Sequence, residues 1–242
     1  MIKTARNLLL ALALTTGLNA ATELNKDEIK KIENLDLFKG VNIKVNKAYD
    51  TESLYLLKVN VRGKIDEIYL TKDKKYLIAG DVMDTKTGAK LSVPADLSIA
   101  KGNQAFTFGK GNDEYYLFTD PECPYCKKFE SYLAQVEDKV KINVFYFPLD
   151  FHANAKDISL YVMSQDSYKD KVNAMVNTTK DTPAFKNRKI DAKKLKSLEA
   201  KLDKQIAIGQ ELGVQGTPAV FDKDGNKVNW VQMLQSYGIE VK

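Results

Sequence analysis

The chain has 242 residues, with 37 Lys and Arg against 32 Asp and Glu, for a net charge of +5. That length exceeds one small domain and suggests about two, at roughly 100–200 residues each, while 44% hydrophobic residues exclude a disordered or collagen-like chain. The charge excess is spread along the sequence rather than gathered into a basic stripe, which argues against a nucleic-acid partner.

The first residues read as a targeting segment. Lys3 and Arg6 flank the start of a short apolar run over 8–14, and Gly17-Leu18-Asn19-Ala20-Ala21 supplies small residues for cleavage, so residues 1–20 read as a signal peptide. The run is too short to span a bilayer, which takes about 20 apolar residues, and no cysteine follows the cleavage site to carry a lipid. The expectation is an exported protein whose cysteines work in an oxidising compartment.

Asn25 with Glu28 three residues on predicts a capping box, and Leu24, Ile29, Ile32 and Leu35 fall on one face of the helix it would start. The period then changes to two: Val41, Ile43 and Val45 alternate with polar residues, as do Leu54, Leu56, Val59 and Val61 less strictly. Residues 67–71 and 76–81 predict a hairpin around the polar turn 72–75. Residues 21–92 thus predict a small α+β domain, of marginal size for a lone core. Pro94 suits the first turn of a helix that Gly102-Asn103 would end, so 93–105 is read as a linker helix.

Residues 106–242 predict an α/β domain. The apolar run 115–119 reads as a central strand buried on both faces, and a helix carrying Phe129, Leu133 and Val136 begins within the following Cys-Pro-Tyr-Cys segment. Residues 142–147 read as a second buried strand stopped by Pro148, and about 151–212 as a helical, Lys-rich insertion interrupted near Thr182-Pro183. A hairpin over 219–231 and a short helix through Leu234 complete the chain.

The two cysteines, Cys123 and Cys126, are the only ones in the sequence. A disulfide framework needs several pairs, and a structural zinc site needs about four Cys or His ligands, whereas His152 is the single histidine; no metal site is expected. Cys-x-x-Cys after a buried strand and at the start of a helix has a different use. Unpaired N–H groups and the helix dipole favour an anion there, so Cys123 is expected to be a stabilised thiolate and nucleophile, with Cys126 deeper and acting as its resolving partner. Pro124 supports the turn into the helix, and Tyr125 is placed to tune the pair. Downstream, Gly216-Thr217-Pro218 precedes a strand, and Thr217-Pro218 is expected to be a cis bond whose turned backbone binds an incoming polypeptide. Asp120 and Glu122 read as solvated loop acids, His152 as a capping or surface residue, Trp230 as core, and the lysines over 186–204 as a solvated helix face.

The segments Phe118-Thr119-Asp120-Pro121-Glu122-Cys123-Pro124-Tyr125-Cys126-Lys127-Lys128-Phe129 and Leu212-Gly213-Val214-Gln215-Gly216-Thr217-Pro218-Ala219-Val220 closely resemble bacterial periplasmic thiol:disulfide interchange proteins of the DsbC/DsbG type. Residues 68–71 and 76–82 are similar to the hairpin of that family's N-terminal domain. The resemblance implies a cystatin-like α+β dimerisation domain joined by the linker helix to a thioredoxin-fold catalytic domain with a helical insertion. It implies Cys123 and Cys126 as catalytic residues, with Thr217, Pro218, Pro124 and Tyr125 as substrate-binding residues. No cofactor is implied beyond the redox-active Cys123–Cys126 disulfide. The implied partners are unfolded or misoxidised exported proteins, a membrane redox partner that recharges the pair, and a second copy of the chain. Reduction or isomerisation is the favoured activity, with a disulfide-introducing oxidase of the same fold, or a chaperone with a structural Cys-x-x-Cys, as alternatives. Two departures stand out: Tyr161-Val162-Met163-Ser164 lacks the extra cysteine pair some members carry, and Leu117 stands where thioredoxins place a buried carboxylate.

Overall fold

The computed structural model describes residues 21–85, 88 and 90–242; the signal peptide read at 1–20 lies outside the described residues. The chain divides into two units, one reaching Gly80 and the other running from Asp81 to Lys242, so the division falls before the boundary at 92 that the sequence suggests.

In the first unit, helix α1 (Lys26–Glu33) starts on the expected capping box: Asn25 Oδ1 accepts from the Glu28 N–H at 3.0 Å, and Glu28 Oε2 accepts from the Asn25 N–H at 3.0 Å. A second helix, α2 (Asp36–Val41), follows directly. It absorbs Val41, which the alternating pattern had assigned to a strand. Strands β1 (Thr22–Glu23), β2 (Ile43–Asp50), β3 (Leu54–Val61), β4 (Lys64–Thr71) and β5 (Leu77–Ile78) form an antiparallel sheet in that order. Arg62 and Gly63, both at positive φ, make the two-residue turn between β3 and β4, the handedness a twisted hairpin prefers. The α1 and α2 side chains Ile32 and Phe38 bury against Val45, Leu57, Val59, Ile68 and Leu70 of the sheet. The second arm of the expected 67–81 hairpin is shorter than the pattern suggests. Strand β5 has two residues and leaves Tyr76 and Ile78 exposed.

The stretch 93–105, expected as a linker helix, holds a single 3-10 turn at Leu97–Ile99, with Asp96 as its cap. It lies in the second unit, where the Ala95 N–H donates to the Gly225 carbonyl at 2.8 Å. Proline at 94 suits any first turn, so its presence did not distinguish one turn from a longer helix.

The second unit is built on strands β6 (Phe106–Phe108), β7 (Asp113–Thr119), β8 (Val140–Tyr146), β9 (Ala219–Asp222) and β10 (Lys227–Val228). Their order is β10-β9-β7-β8-β6, with β7 and β8 parallel and the other pairs antiparallel. Successive side chains of β7 and β8 feed opposite cores. Leu117, Ile142, Val144 and Tyr146 pack with Phe129 of helix α3 (Pro124–Tyr132) and with Leu133 just past its end, while Tyr116, Phe118 and Phe145 pack with Ile208 of helix α7 (Ala192–Glu211) and Phe221. This two-sided burial is why both strands read as continuous apolar runs. Helices α4 (Ala155–Ser164), α5 (Tyr168–Asn177), α6 (Pro183–Lys186) and α7 occupy the predicted helical stretch, and α6 begins at the predicted break. Val231 lies in the last helix, α8 (Trp230–Ser236), rather than in the hairpin. Trp230 is partly buried, with its ring 5.4 Å from that of Phe129.

Candidate active site

Strand β7 ends at Thr119, and the turn 120–123 hands the chain to α3 at the C-terminal edge of the parallel strands. Cys123 is the N-cap residue of α3, with Pro124 in its first turn; proline's fixed φ suits that position and its missing N–H would have been unpaired there anyway. Cys126 lies one turn along and is fully buried, whereas Cys123 keeps 5% of its surface. Both are free thiols.

The Cys123 sulfur lies 3.3 Å from the carbonyl of Thr217, in the loop before β9, where Thr217–Pro218 is cis. The two segments joined by this contact are 94 residues apart in sequence. The surroundings lower the Cys123 pKa to about 5. The Cys126 side chain is the largest cause, aided by the Cys126 N–H, Thr217 and the Tyr125 N–H against the opposing effect of burial. Burial pushes the Cys126 thiol well above the usual thiol range, and the hydrogen bond it gives Cys123 adds to this; Thr119 and Thr217 pull the other way. One sulfur is therefore ready to attack, while the other is held protonated beside it. Tyr125 projects outward with 68% of its surface exposed, and Pro124 is exposed beside it.

The flanking acids differ from expectation. Asp120 is fully buried. Its carboxylate accepts from the N–H groups of Glu122 and Leu149, each at 2.7 Å, and lies 2.9 Å from His152 Nδ1. Its own N–H donates to the Cys126 sulfur at 3.5 Å, and its carbonyl accepts from the Cys123 N–H at 3.1 Å. His152, read as a capping or surface residue, is instead four-fifths buried against Asp120. Glu122 accepts from the backbone and side-chain amides of Asn154, at 2.6 and 2.9 Å, at the start of α4. The turn holding the cysteines is thus anchored to the loop after β8 by side chains about 30 residues apart in sequence, which local pattern does not reveal.

Glu130 is the site residue that sequence reasoning passed over. It is 1% exposed, and its Oε1 accepts from the Thr119 hydroxyl at 2.7 Å. Its Oε2 has no hydrogen-bond partner, and the Lys127 ammonium stands 3.5 Å away. Burial pushes its pKa up to about 7 against the pull of Lys127 and Thr119. A signal was present: Cys126, Phe129, Glu130 and Leu133 fall at i, i+3, i+4 and i+7, one buried helix face. Among the described residues no cluster of His, Cys, Asp and Glu could hold a metal ion.

A buried, parallel-strand-to-helix Cys-x-x-Cys opposite a Thr-Pro loop defines a thiol-redox class of site. The chain belongs to the thioredoxin-like domain family, whose sequence profile matches residues 107–234. It is 26% identical over 189 residues to the "Probable thiol:disulfide interchange protein DsbC" of Bordetella avium, covering 71% of this chain and 60% of that protein. The chain therefore spans about three fifths of that relative's length. Among solved structures it is similar to the catalytic domain of Proteus mirabilis ScsC, with 22% identity, a TM-score of 0.42, and coverage of 57% of this chain and 89% of that one. It is also similar to Helicobacter pylori DsbG, with 14% identity, a TM-score of 0.39, and coverage of 82% of this chain and all of that one.

Proposed function

We propose that the protein is a thiol:disulfide interchange protein that reduces or isomerises disulfides in exported proteins. The observation that carries this reading is the asymmetry of the pair: a thiolate-forming Cys123 at a helix N-terminus and a fully buried, protonated Cys126. The Cys123 thiolate attacks one sulfur of a substrate disulfide; that bond breaks, and the other substrate sulfur leaves as a thiolate. A second substrate thiol then displaces Cys123, which is isomerisation with no net electron transfer. Alternatively, the Cys126 thiolate displaces the substrate and forms the Cys123–Cys126 disulfide, which transfers two electrons to the substrate. The Thr217–Pro218 loop offers backbone to an extended polypeptide beside Cys123, with Pro124 and Tyr125 at the rim, and no cofactor is needed.

In this reading residues of about 21–92, which include the whole of the sheet β1–β5, serve as the cystatin-like dimerisation domain, ahead of a connector over 93–105 and the catalytic domain over 106–242. Residues 1–20 direct the chain to the periplasm, where a membrane redox partner recharges the cysteines. An oxidase is the second reading, favoured by the low Cys123 pKa, because a stable thiolate makes the reduced form easier to reach.

Replacing Cys123 with Ser is expected to abolish both insulin reduction and the refolding of scrambled ribonuclease. Cys126→Ala is expected to accumulate substrate mixed disulfides on Cys123, visible on non-reducing gels. Full activity in Cys123→Ser would refute the reading. Acid trapping and thiol alkylation in growing cells separates the two directions: a mainly reduced pair supports the isomerase or reductase, and a mainly oxidised one supports the oxidase.

A further inference from the structure

We infer that the Glu130 carboxylate, acting through the Thr119 hydroxyl, takes the proton from Cys126 when that thiol resolves a mixed disulfide. The inference rests on the thiol:disulfide reading above and deepens it. Cys126 must lose a proton to act, yet it is fully buried, so bulk water does not reach it directly. Asp120 meets the Cys126 sulfur with its N–H, while its carboxylate oxygens are engaged by Glu122, Leu149 and His152. Leu117, on β7, brings no carboxylate. Glu130 comes instead from α3 itself, one turn beyond Cys126, with one oxygen on Thr119 and the other without a hydrogen bond, 3.5 Å from the Lys127 ammonium. Thr119 directly precedes Asp120, whose N–H lies 3.5 Å from the Cys126 sulfur, and the Thr119 side chain favours the Cys126 thiolate.

The transfer balances as a paired hop. The Cys126 S–H bond breaks as its proton passes to the Thr119 oxygen, and the Thr119 hydroxyl proton passes to Glu130 Oε1. The products are the Cys126 thiolate, an intact Thr119 hydroxyl and a neutral Glu130. The Cys126 sulfur then attacks Cys123, the bond from Cys123 to the substrate breaks, and the substrate sulfur leaves with the electron pair. The reaction stage helps, because in the mixed disulfide Cys123 carries no charge and no longer holds the Cys126 proton through their hydrogen bond. A carboxyl that titrates near neutrality is suited to accept it. The titratable groups facing Glu130 are Lys127 and Cys123 from the α3 region and Tyr146 from β8, while α5 supplies the Met175 carbonyl that holds Lys127.

Mixing the reduced protein with one equivalent of 5,5′-dithiobis(2-nitrobenzoate) tests this, since thionitrobenzoate is released once as Cys123 attacks and again as Cys126 displaces the label. In the wild type the second release is expected to rise with pH through an inflection near 7. Glu130→Gln keeps the shape and removes the base, so it should slow the second release at least tenfold and erase the inflection; a wild-type circular dichroism spectrum and a cooperative thermal transition report that the variant is folded. Thr119→Val should do the same, and Thr119→Ser should restore the wild-type rate. An unchanged second release and pH profile in Thr119→Val, or in a folded Glu130→Gln, would overturn the inference. If the wild-type protein gives no first release, the thiol:disulfide reading itself fails.

Discussion

At the residue scale, charge and burial around α3 set the chemistry. Alkylation of Cys123 by iodoacetamide is expected to hold a plateau from about pH 6 to 8 and to fall away below an inflection near pH 5. Cys126→Ala removes the largest stabilising contact, so the inflection should move upward; an inflection unmoved by that change would contradict the role given to Cys126. Glu130 makes an opposite prediction for stability. Its pKa in the fold, about 7, lies above the ordinary 4.5, so the fold prefers the protonated form. That contribution is complete below about pH 4.5 and is lost as pH rises through about 7. At about 1.4 kcal/mol per pH unit, the wild type should lose up to about 3 kcal/mol relative to Glu130→Gln between pH 4.5 and 8. Urea denaturation at the two pH values measures the difference, and a gap that does not widen toward pH 8 would count against a buried carboxylate with a raised pKa.

At the element scale, helix α7 packs against the sheet through a glycine. A side chain at Gly209 would run into the Phe147 ring and press on Phe118. Gly to Ala in an open helix gains up to about 1 kcal/mol; here the sign reverses, and Gly209→Ala is expected to cost about 1–3 kcal/mol through overpacking. A raised melting temperature would show that α7 can move away without loss. Gly209 also illustrates what could be read in advance. The capping box at Asn25, the two-sided strands β7 and β8, the start of α3 and the juxtaposition of Cys123 with Thr217 follow from local pattern or from the resemblance, since each depends on period, cap or motif. The burial of Asp120 and His152 does not, because a charged side chain is buried only where distant partners receive it, here the Leu149 amide and each other; for Glu130 the helical period marks the buried face but not the Thr119 hydroxyl that receives the carboxylate. Strand β5 and the expected helix over 93–105 were overextended because alternation and a leading proline mark where an element can begin, not where its hydrogen-bond partners run out.

At the scale of the whole molecule, the first unit bears on assembly. Strand β5 is an edge of its sheet, with Tyr76 just before it 69% exposed and Ile78 within it 37% exposed, an arrangement suited to pairing with a second copy. Sedimentation should give about twice the 27.2 kDa chain mass, less any cleaved leader, and Ile78→Lys should shift it toward the monomer. A monomer at every concentration would remove dimerisation from the proposal. The sequence holds two cysteines and no others, so the helices of the insertion hold without a disulfide, by packing and by ion pairs such as Arg188–Asp157, and changing the redox state alters a single covalent bond. Folding and oxidation then close one thermodynamic cycle. Whatever the native surroundings contribute to the Cys123 thiolate, they must withhold from the Cys123–Cys126 bond relative to the unfolded chain, so oxidising the protein should lower its melting temperature. Because the Cys123 pKa falls on folding, that depression should deepen as pH rises from about 5 toward 8 and vanish as it falls through 5. Calorimetry with and without a reductant would therefore read the oxidising strength of the active site from heat alone, with no second disulfide to confuse the signal.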